Sequence, residues 1–315
     1  MSRPASVTAA AVVVVAGSVF AIIGGIASVY FALSPGFRAM RPQAANPTFV
    51  TGILIALAAI TLAFAAWGIA TSIGLVRMRS WARVSLVVFA VLLAFISLIS
   101  AVGVFAATPV QPGMAPQMAR NLRYGVAGVY AIPFAIALWW LIQFNMASTK
   151  AAFANANPDA LVNGRPLSMS IIGYLLIIGG AFCVIPLLMG MPGYIAGGVL
   201  TGWPARALYA AFGGAELYAG IGLLALREPA RVAAIAVCCL GPLNGIALAL
   251  IPGAQARFEA VQRAQLHTLV PPASVPPHSY LLPVVLGSAL ALVPIWFLVT
   301  RRTAFIAPDG SAASL

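Results

Sequence analysis

The chain has 315 residues, 62% hydrophobic and only 7% charged, with a mean hydropathy of +1.03. An average soluble domain is about 45–50% apolar and about 25% charged, and disordered chains are poorer still in apolar residues. A chain with only 17 basic and 5 acidic residues is therefore no soluble enzyme, disulfide scaffold or DNA-binding domain, but a polytopic helical membrane protein.

Eight apolar stretches are long enough to cross a hydrocarbon core of about 30 Å. They lie near Val7–Leu33, Val50–Val76, Val84–Ala106, Tyr124–Phe144, Ser170–Met189, Ala205–Leu226, Val232–Ile251 and Tyr280–Thr300. Within a bilayer every backbone polar group needs an internal partner, so each is predicted to be a helix, valine runs such as Val12–Val15 included. The first run follows Arg3, but it is about 25 residues long against the 7–15 of a signal-peptide core. It reads as an uncleaved helix.

The second half of the chain repeats the first. Ile22-Ile23-Gly24-Gly25 recurs as Ile177-Ile178-Gly179-Gly180, and Pro35-Gly36-Phe37 as Pro192-Gly193-Tyr194. Ile73-Gly74-Leu75 with Arg79, Ala82, Arg83 and Val84 recurs as Ile221-Gly222-Leu223 with Arg227, Ala230, Arg231 and Val232. Tyr130-x-x-Pro133 and Lys150-Ala-Ala-Phe153 match Tyr280-x-x-Pro283 and Arg302-Thr-Ala-Phe305, in the same order. Four spans per half is an even number, so both halves enter the membrane the same way. The predicted fold is an all-α membrane protein of eight transmembrane helices, a tandem parallel duplication of a four-helix unit. Residues 1–150 form the first repeat, 151–168 a polar linker and 169–315 the second repeat. The loop Pro252–Ser279 reads as a short interfacial helix, with Phe258, Val261 and Leu269 on one face and Glu259 and Arg263 spaced i,i+4, before a Pro-rich turn.

The formal charge of +12 sits in arginines at the ends of apolar runs. There they hold loops on the cytoplasmic side and meet anionic lipid headgroups. No basic block with interleaved aromatics exists, so no nucleic-acid partner is expected. Arg3, Arg77, Arg79, Arg83, Lys150, Arg165, Arg227, Arg231, Arg301 and Arg302 share one side, and the other seven of the 17 basic residues share the opposite one. The positive-inside rule then places both termini in the cytoplasm, in a cell's inner membrane.

The short hairpin between the second and third spans of each half, Gly-Leu, Arg, Ala-Arg-Val, resembles that of bacterial membrane proteins of unknown function built from a four-helix domain. Half two departs from half one by carrying Glu228-Pro229 in place of Ser80-Trp81. The resemblance implies a fold and brings no functional residues with it.

Chemistry is sparse. His267 and His278 are eleven residues apart in a Pro-rich loop, and the three cysteines, Cys183, Cys238 and Cys239, lie inside apolar runs and read as small packing residues. Neither a catalytic constellation nor a metal or cofactor site can be assembled. The serines and threonines inside the spans, Thr61, Thr71, Ser72, Ser97 and Ser100, are expected to bond back to their own helices, and the tryptophans Trp67, Trp139, Trp140 and Trp296 to form interfacial belts.

Glu216 is the exception. It lies about 15 Å inside the membrane edge marked by Arg227 at 1.5 Å per residue, and an ionised carboxyl facing lipid there costs at least about 2.5 kcal/mol. Tyr209, Gly213, Gly220 and Leu223 share its face. It is either a proton or cation site or a neutral carboxyl hydrogen-bonded across a helix interface. Asn244, beside Pro242 and Gly245, is the candidate partner on the next helix, or else satisfies a carbonyl freed by that proline. Two functional readings follow, the first placed ahead of the second because few polar groups line the spans. One is a non-catalytic membrane protein that associates with itself or with a membrane-protein partner through glycine-rich faces. The other is a small-solute or proton-linked transporter with a site near Glu216 and Asn244 where the repeats meet.

Overall fold

The computed structural model describes residues 4–34, 47–107, 116–156, 166–257, 260–261 and 281–305. Helices α1 (Ala5–Leu33), α2 (Pro47–Val76), α3 (Ser80–Ala107), α4 (Pro116–Asn145) and α5 (Ala147–Ala156) come first in chain order. They are followed by α6 (Leu167–Phe182), α7 (Val184–Met189), strands β1 (Gly193–Ile195) and β2 (Gly198–Leu200), α8 (Gly202–Leu224), α9 (Glu228–Leu250), α10 (Leu281–Thr300) and a 3-10 turn at Arg302–Phe305. Seven helical stretches are long and apolar enough to cross a membrane, and the apolar stretch Gly287–Thr300 of α10 is shorter. The chain is thus a multi-pass helical membrane protein. Its described residues divide into two compact units, 4–156 and 166–305.

In the first unit α1 packs along α2 and α3 along α4. Small residues let the first pair close. A Cβ on Gly25 would meet Leu62 Cδ2 at 3.0 Å, and the Ser72 hydroxyl donates to the Ala11 carbonyl across the seam at 3.0 Å. Thr71 and Ser85 share a buried hydrogen bond of 2.7 Å between α2 and α3. These hydroxyls bridge helices instead of bonding back, because they sit where the backbones approach most closely. Thr61 does bond back, to the Leu57 carbonyl at 2.8 Å. Trp67 stacks on Phe89 with ring centroids 4.1 Å apart, and Trp140 is buried, so both pack between helices.

The α2–α3 and α8–α9 hairpins repeat one another bond for bond. In the first, the amides of Met78 and Arg79 donate to the carbonyls of Leu75 and Gly74 at 2.9 and 2.8 Å. In the second, those of Leu226 and Arg227 donate to Leu223 and Gly222 at 3.1 and 2.9 Å. This paired closure caps a helix C-terminus and needs a left-handed residue, supplied by Met78 and Leu226, each at φ 53°. Gly74 and Gly222 leave room for the methyls of Ala82 and Ala230, which are fully buried. One turn on, the Arg83 Nε donates to the Phe144 carbonyl at 3.0 Å and an Arg231 guanidinium nitrogen to the Leu298 carbonyl at 3.1 Å. Each arginine thereby satisfies a carbonyl in the last turn of its unit's fourth long helix. Phe153, in α5, and Phe305, in the terminal 3-10 turn, are both buried beside that end.

The units differ elsewhere. Gly180, matched to Gly25 by the repeat, faces Gly213 and Leu217. Leu217 aligns with Ile69, about two turns beyond the Leu62 that Gly25 meets. The fifth predicted span is broken after Phe182 into α6 and α7, because Pro186 has no N–H to donate to the carbonyl of Phe182. Part of the predicted linker is the helix α5, held by its buried Thr149 and Phe153, the latter packing on Phe144 at 6.2 Å between ring centroids. Pro35-Gly36-Phe37, Tyr280, both histidines and most of the predicted interfacial helix lie outside the described residues.

Candidate functional site

Glu216 lies on α8, eight residues before its last residue Leu224, which at 1.5 Å per residue is about 12 Å from that end of the helix. The seam between α6 and α8 determines its surroundings. Gly173 opposes Gly220 and Gly180 opposes Gly213, so closely that a Cβ on Gly220 would stand 2.6 Å from the Gly173 carbonyl oxygen and one on Gly180 2.7 Å from that of Gly213. The Glu216 side chain leaves α8 between these two backbone contacts. Its carboxyl lies over Gly179, where a Cβ would meet Oε2 at 2.9 Å and Oε1 at 3.0 Å.

Half-buried in this position, Glu216 has one hydrogen-bonding neighbour among the described residues, the Cys183 thiol, whose Sγ stands 3.8 Å from Oε2. Cys238 on α9 lies within electrostatic range. No arginine or lysine among the described residues forms an ion pair with it; the ion pair there is Arg231 with Glu228, at 2.5 Å. A thiol is a weak donor, so the contact cannot replace the hydration that an ionised carboxyl gives up. Among the described residues no cluster of histidine, cysteine or acidic groups could hold a metal ion.

Asn244 serves another element. Its amide nitrogen donates to the Tyr194 carbonyl at 3.1 Å and its oxygen accepts from the Ala196 N–H at 2.9 Å. Both belong to the hairpin β1–β2, where Gly193 pairs with Leu200, Tyr194 with Val199 and Ile195 with Gly198. The two-residue turn is Ala196-Gly197, at φ 48° and 84°, a type I′ geometry suited to the twist of a tight hairpin. Arg257 donates to the Gly197 carbonyl at 3.2 Å, and the Tyr209 hydroxyl to the Pro192 carbonyl at 2.8 Å. The hairpin is thus fastened across the N-terminal end of α8 from three places. Asn244 bonds to the hairpin on that side, while Glu216 lies two turns past Tyr209 along α8.

The residues that complete the site were hardly legible beforehand. Cys183 reads as a packing residue, and Tyr209 only as a face neighbour of Glu216. The available signal was Pro186, three residues after Cys183 within an apolar run, which marks a helix break.

Fold and site together define a multi-pass helical membrane protein that carries a half-buried carboxyl inside one of its spans. The chain matches no protein-family model, no curated protein and no solved structure.

Proposed function

We propose that this is a non-catalytic, proton-linked membrane protein, of the small-solute or proton-linked transporter class, with Glu216 as the group that takes up and releases the proton. The observation that supports this reading is the company Glu216 keeps: a thiol at 3.8 Å, glycine backbone, and no cationic partner among the described residues. A carboxyl with a structural role would be expected to share a strong hydrogen bond across the seam, whereas an acid inside a membrane that lacks one is suited to changing its protonation. The one-residue interruption at Cys183, which keeps helical dihedrals, turns its thiol towards the carboxyl. The matched hairpins and arginine caps support a tandem parallel duplication of a four-helix unit, with α10 as the eighth span. The arginine distribution supports a bacterial inner membrane with both termini cytoplasmic and anionic headgroups as the lipid partner.

The test is labelling of Glu216 by an apolar carbodiimide in proteoliposomes, which modifies protonated carboxyls, with Glu216→Gln as the blank. Labelling is expected to fall as pH is raised. No labelling at any pH, with Glu216→Gln as stable as the parent, would make the residue a sealed structural contact.

A second reading, assembly with a further copy or a membrane-protein partner, is favoured by α1. Gly17 and Gly24 are exposed with open space beside each Cα, on either side of Phe20, a residue that is 76% exposed. Small residues at such a face admit a second helix at close range.

A further inference from the structure

The two directions leading away from Glu216 along the α6–α8 seam differ in chemistry. Towards Arg227 the helices are locked together. Gly220 and Gly173 touch through their backbones, a Cβ on Gly220 would also stand 2.8 Å from Ile177 Cγ1, and one on Gly173 would stand 2.9 Å from Leu224 Cδ2. Around that contact Met169, Ile172, Leu176, Ala219 and Leu223 form one buried apolar cluster with residues of α9 and α10. Among the described residues the buried polar groups at this end are Ser170 and Arg231, and the Arg231 guanidinium is taken up by Glu228 and the Leu298 carbonyl. A close-packed apolar seam of this kind leaves no room for a chain of water that could carry protons.

Towards the hairpin the seam carries two polar side chains, Cys183 and Tyr209. The helices still meet at Gly180 and Gly213, but Gly213 lies against the Cβ of Cys183, where α6 breaks off. The Cys183 thiol reaches the Glu216 carboxyl at 3.8 Å, and its Cβ lies against Gly213, one turn along α8 from Tyr209. Tyr209, two turns from Glu216 on the same face, carries the polar line out to the Pro192 carbonyl at the foot of the hairpin, 2.8 Å away. The titratable groups that face Glu216 are thus Cys183 from the α6–α7 break and Cys238 from α9, with Tyr209 beyond them on α8.

We infer that Glu216 exchanges its proton through the hairpin end of this unit, past Cys183 and Tyr209, while the glycine seam closes the Arg227 end. The inference rests on the proton-linked reading and adds the side of access and the residues that line it. The chemistry is one proton leaving the carboxyl as it becomes carboxylate, with no other bond made or broken. Cys183 and Tyr209 are positioning residues that keep the path polar.

The experiment uses the full chain in proteoliposomes with Cys238 and Cys239 replaced by alanine, so that Cys183 is the sole thiol. The probe is a membrane-impermeant cationic methanethiosulfonate, and modification is read by mass. Trp203→Cys, at the exposed start of α8, and Arg301→Cys, just beyond α10, each in a cysteine-free chain, report which face the reagent reaches. Tyr209→Cys in the same cysteine-free chain is a second probe of the path. The inference expects Cys183 and Tyr209→Cys to react many times faster from the face that modifies Trp203→Cys than from the face that modifies Arg301→Cys. Reaction of both only from the Arg301 face, or of neither from either face, overturns it. The proton-linked reading fails separately: both thiols react from the hairpin face, yet carbodiimide labelling of Glu216 does not change with pH. The path would then stand as a polar vestibule, with no proton function.

Discussion

Gly220→Ala puts the helix seam to the sharpest test. The added methyl carbon would stand 2.6 Å from the Gly173 carbonyl oxygen, 2.8 Å from Ile177 Cγ1 and 3.0 Å from the Ile177 nitrogen. Carbon–oxygen contacts in helix interfaces settle at about 3.3–3.6 Å, so α6 and α8 must part by roughly 0.7–1 Å. None of the three neighbours can swing away, since two are backbone atoms and the third lies close to the main chain. A gap of about 0.5–1 Å forfeits a quarter to a half of each dispersion contact along the seam, and forced insertion into a packed interface costs about 1–3 kcal/mol. At about 2–4 °C per kcal/mol for a unit of this size, the melting temperature in detergent should fall by several degrees. Gly214→Ala is the control. It lies on the same helix with nothing within 4 Å of a Cβ, so it shares any gain in helix propensity and none of the clash. A Gly220→Ala protein that melts with Gly214→Ala would refute the close seam and the closed end built on it.

Other consequences follow from the same geometry. Asn244→Leu removes two hydrogen bonds to the hairpin, each worth about 0.5–1.5 kcal/mol; hydrogen exchange across 193–200 should rise while α8 stays protected. Arg83→Met and Arg231→Met should each lower stability by about 1–3 kcal/mol, since each deletes a charge-assisted bond to a helix-end carbonyl. If only one of the two matters in a denaturation titration, the arginine caps are not equivalent parts of a repeat. Gly24→Leu on α1 should leave the melting temperature in place and abolish self-association, measured by light scattering in detergent, if the exposed small face is where copies meet.

The positions of the apolar helices were legible because the bilayer leaves one option for a run of that length, and the predicted ends fall within a few residues of those observed, apart from the start of α4 eight residues earlier. The α8–α9 hairpin was legible for a related reason: glycine before alanine across a tight turn is a steric requirement, written directly in residue types. Two features were not. The break at Cys183 was masked by the apolar character of Ser170–Met189, although Pro186 carried the signal. The β-hairpin was hidden because Tyr194–Leu200 lies between spans, where the rule that excludes strands from the bilayer says nothing. Ala196-Gly197 between short apolar arms was its turn signal. Glu216 stood out as the single acid deep in a span. What surrounds it depended on the register of α6 against α8, which differs by about two turns from the register of α1 against α2 and so could not be carried from one half to the other.

The most direct test of the central claim is an infrared difference titration of the protein in lipid, comparing the parent with Glu216→Gln. A proton-exchanging Glu216 gives a protonated-carboxyl C=O band that is lost as pH is raised and is missing in Glu216→Gln. A band that persists unchanged at every pH, or a difference spectrum that Glu216→Gln leaves intact, would contradict a proton-exchanging carboxyl at this position.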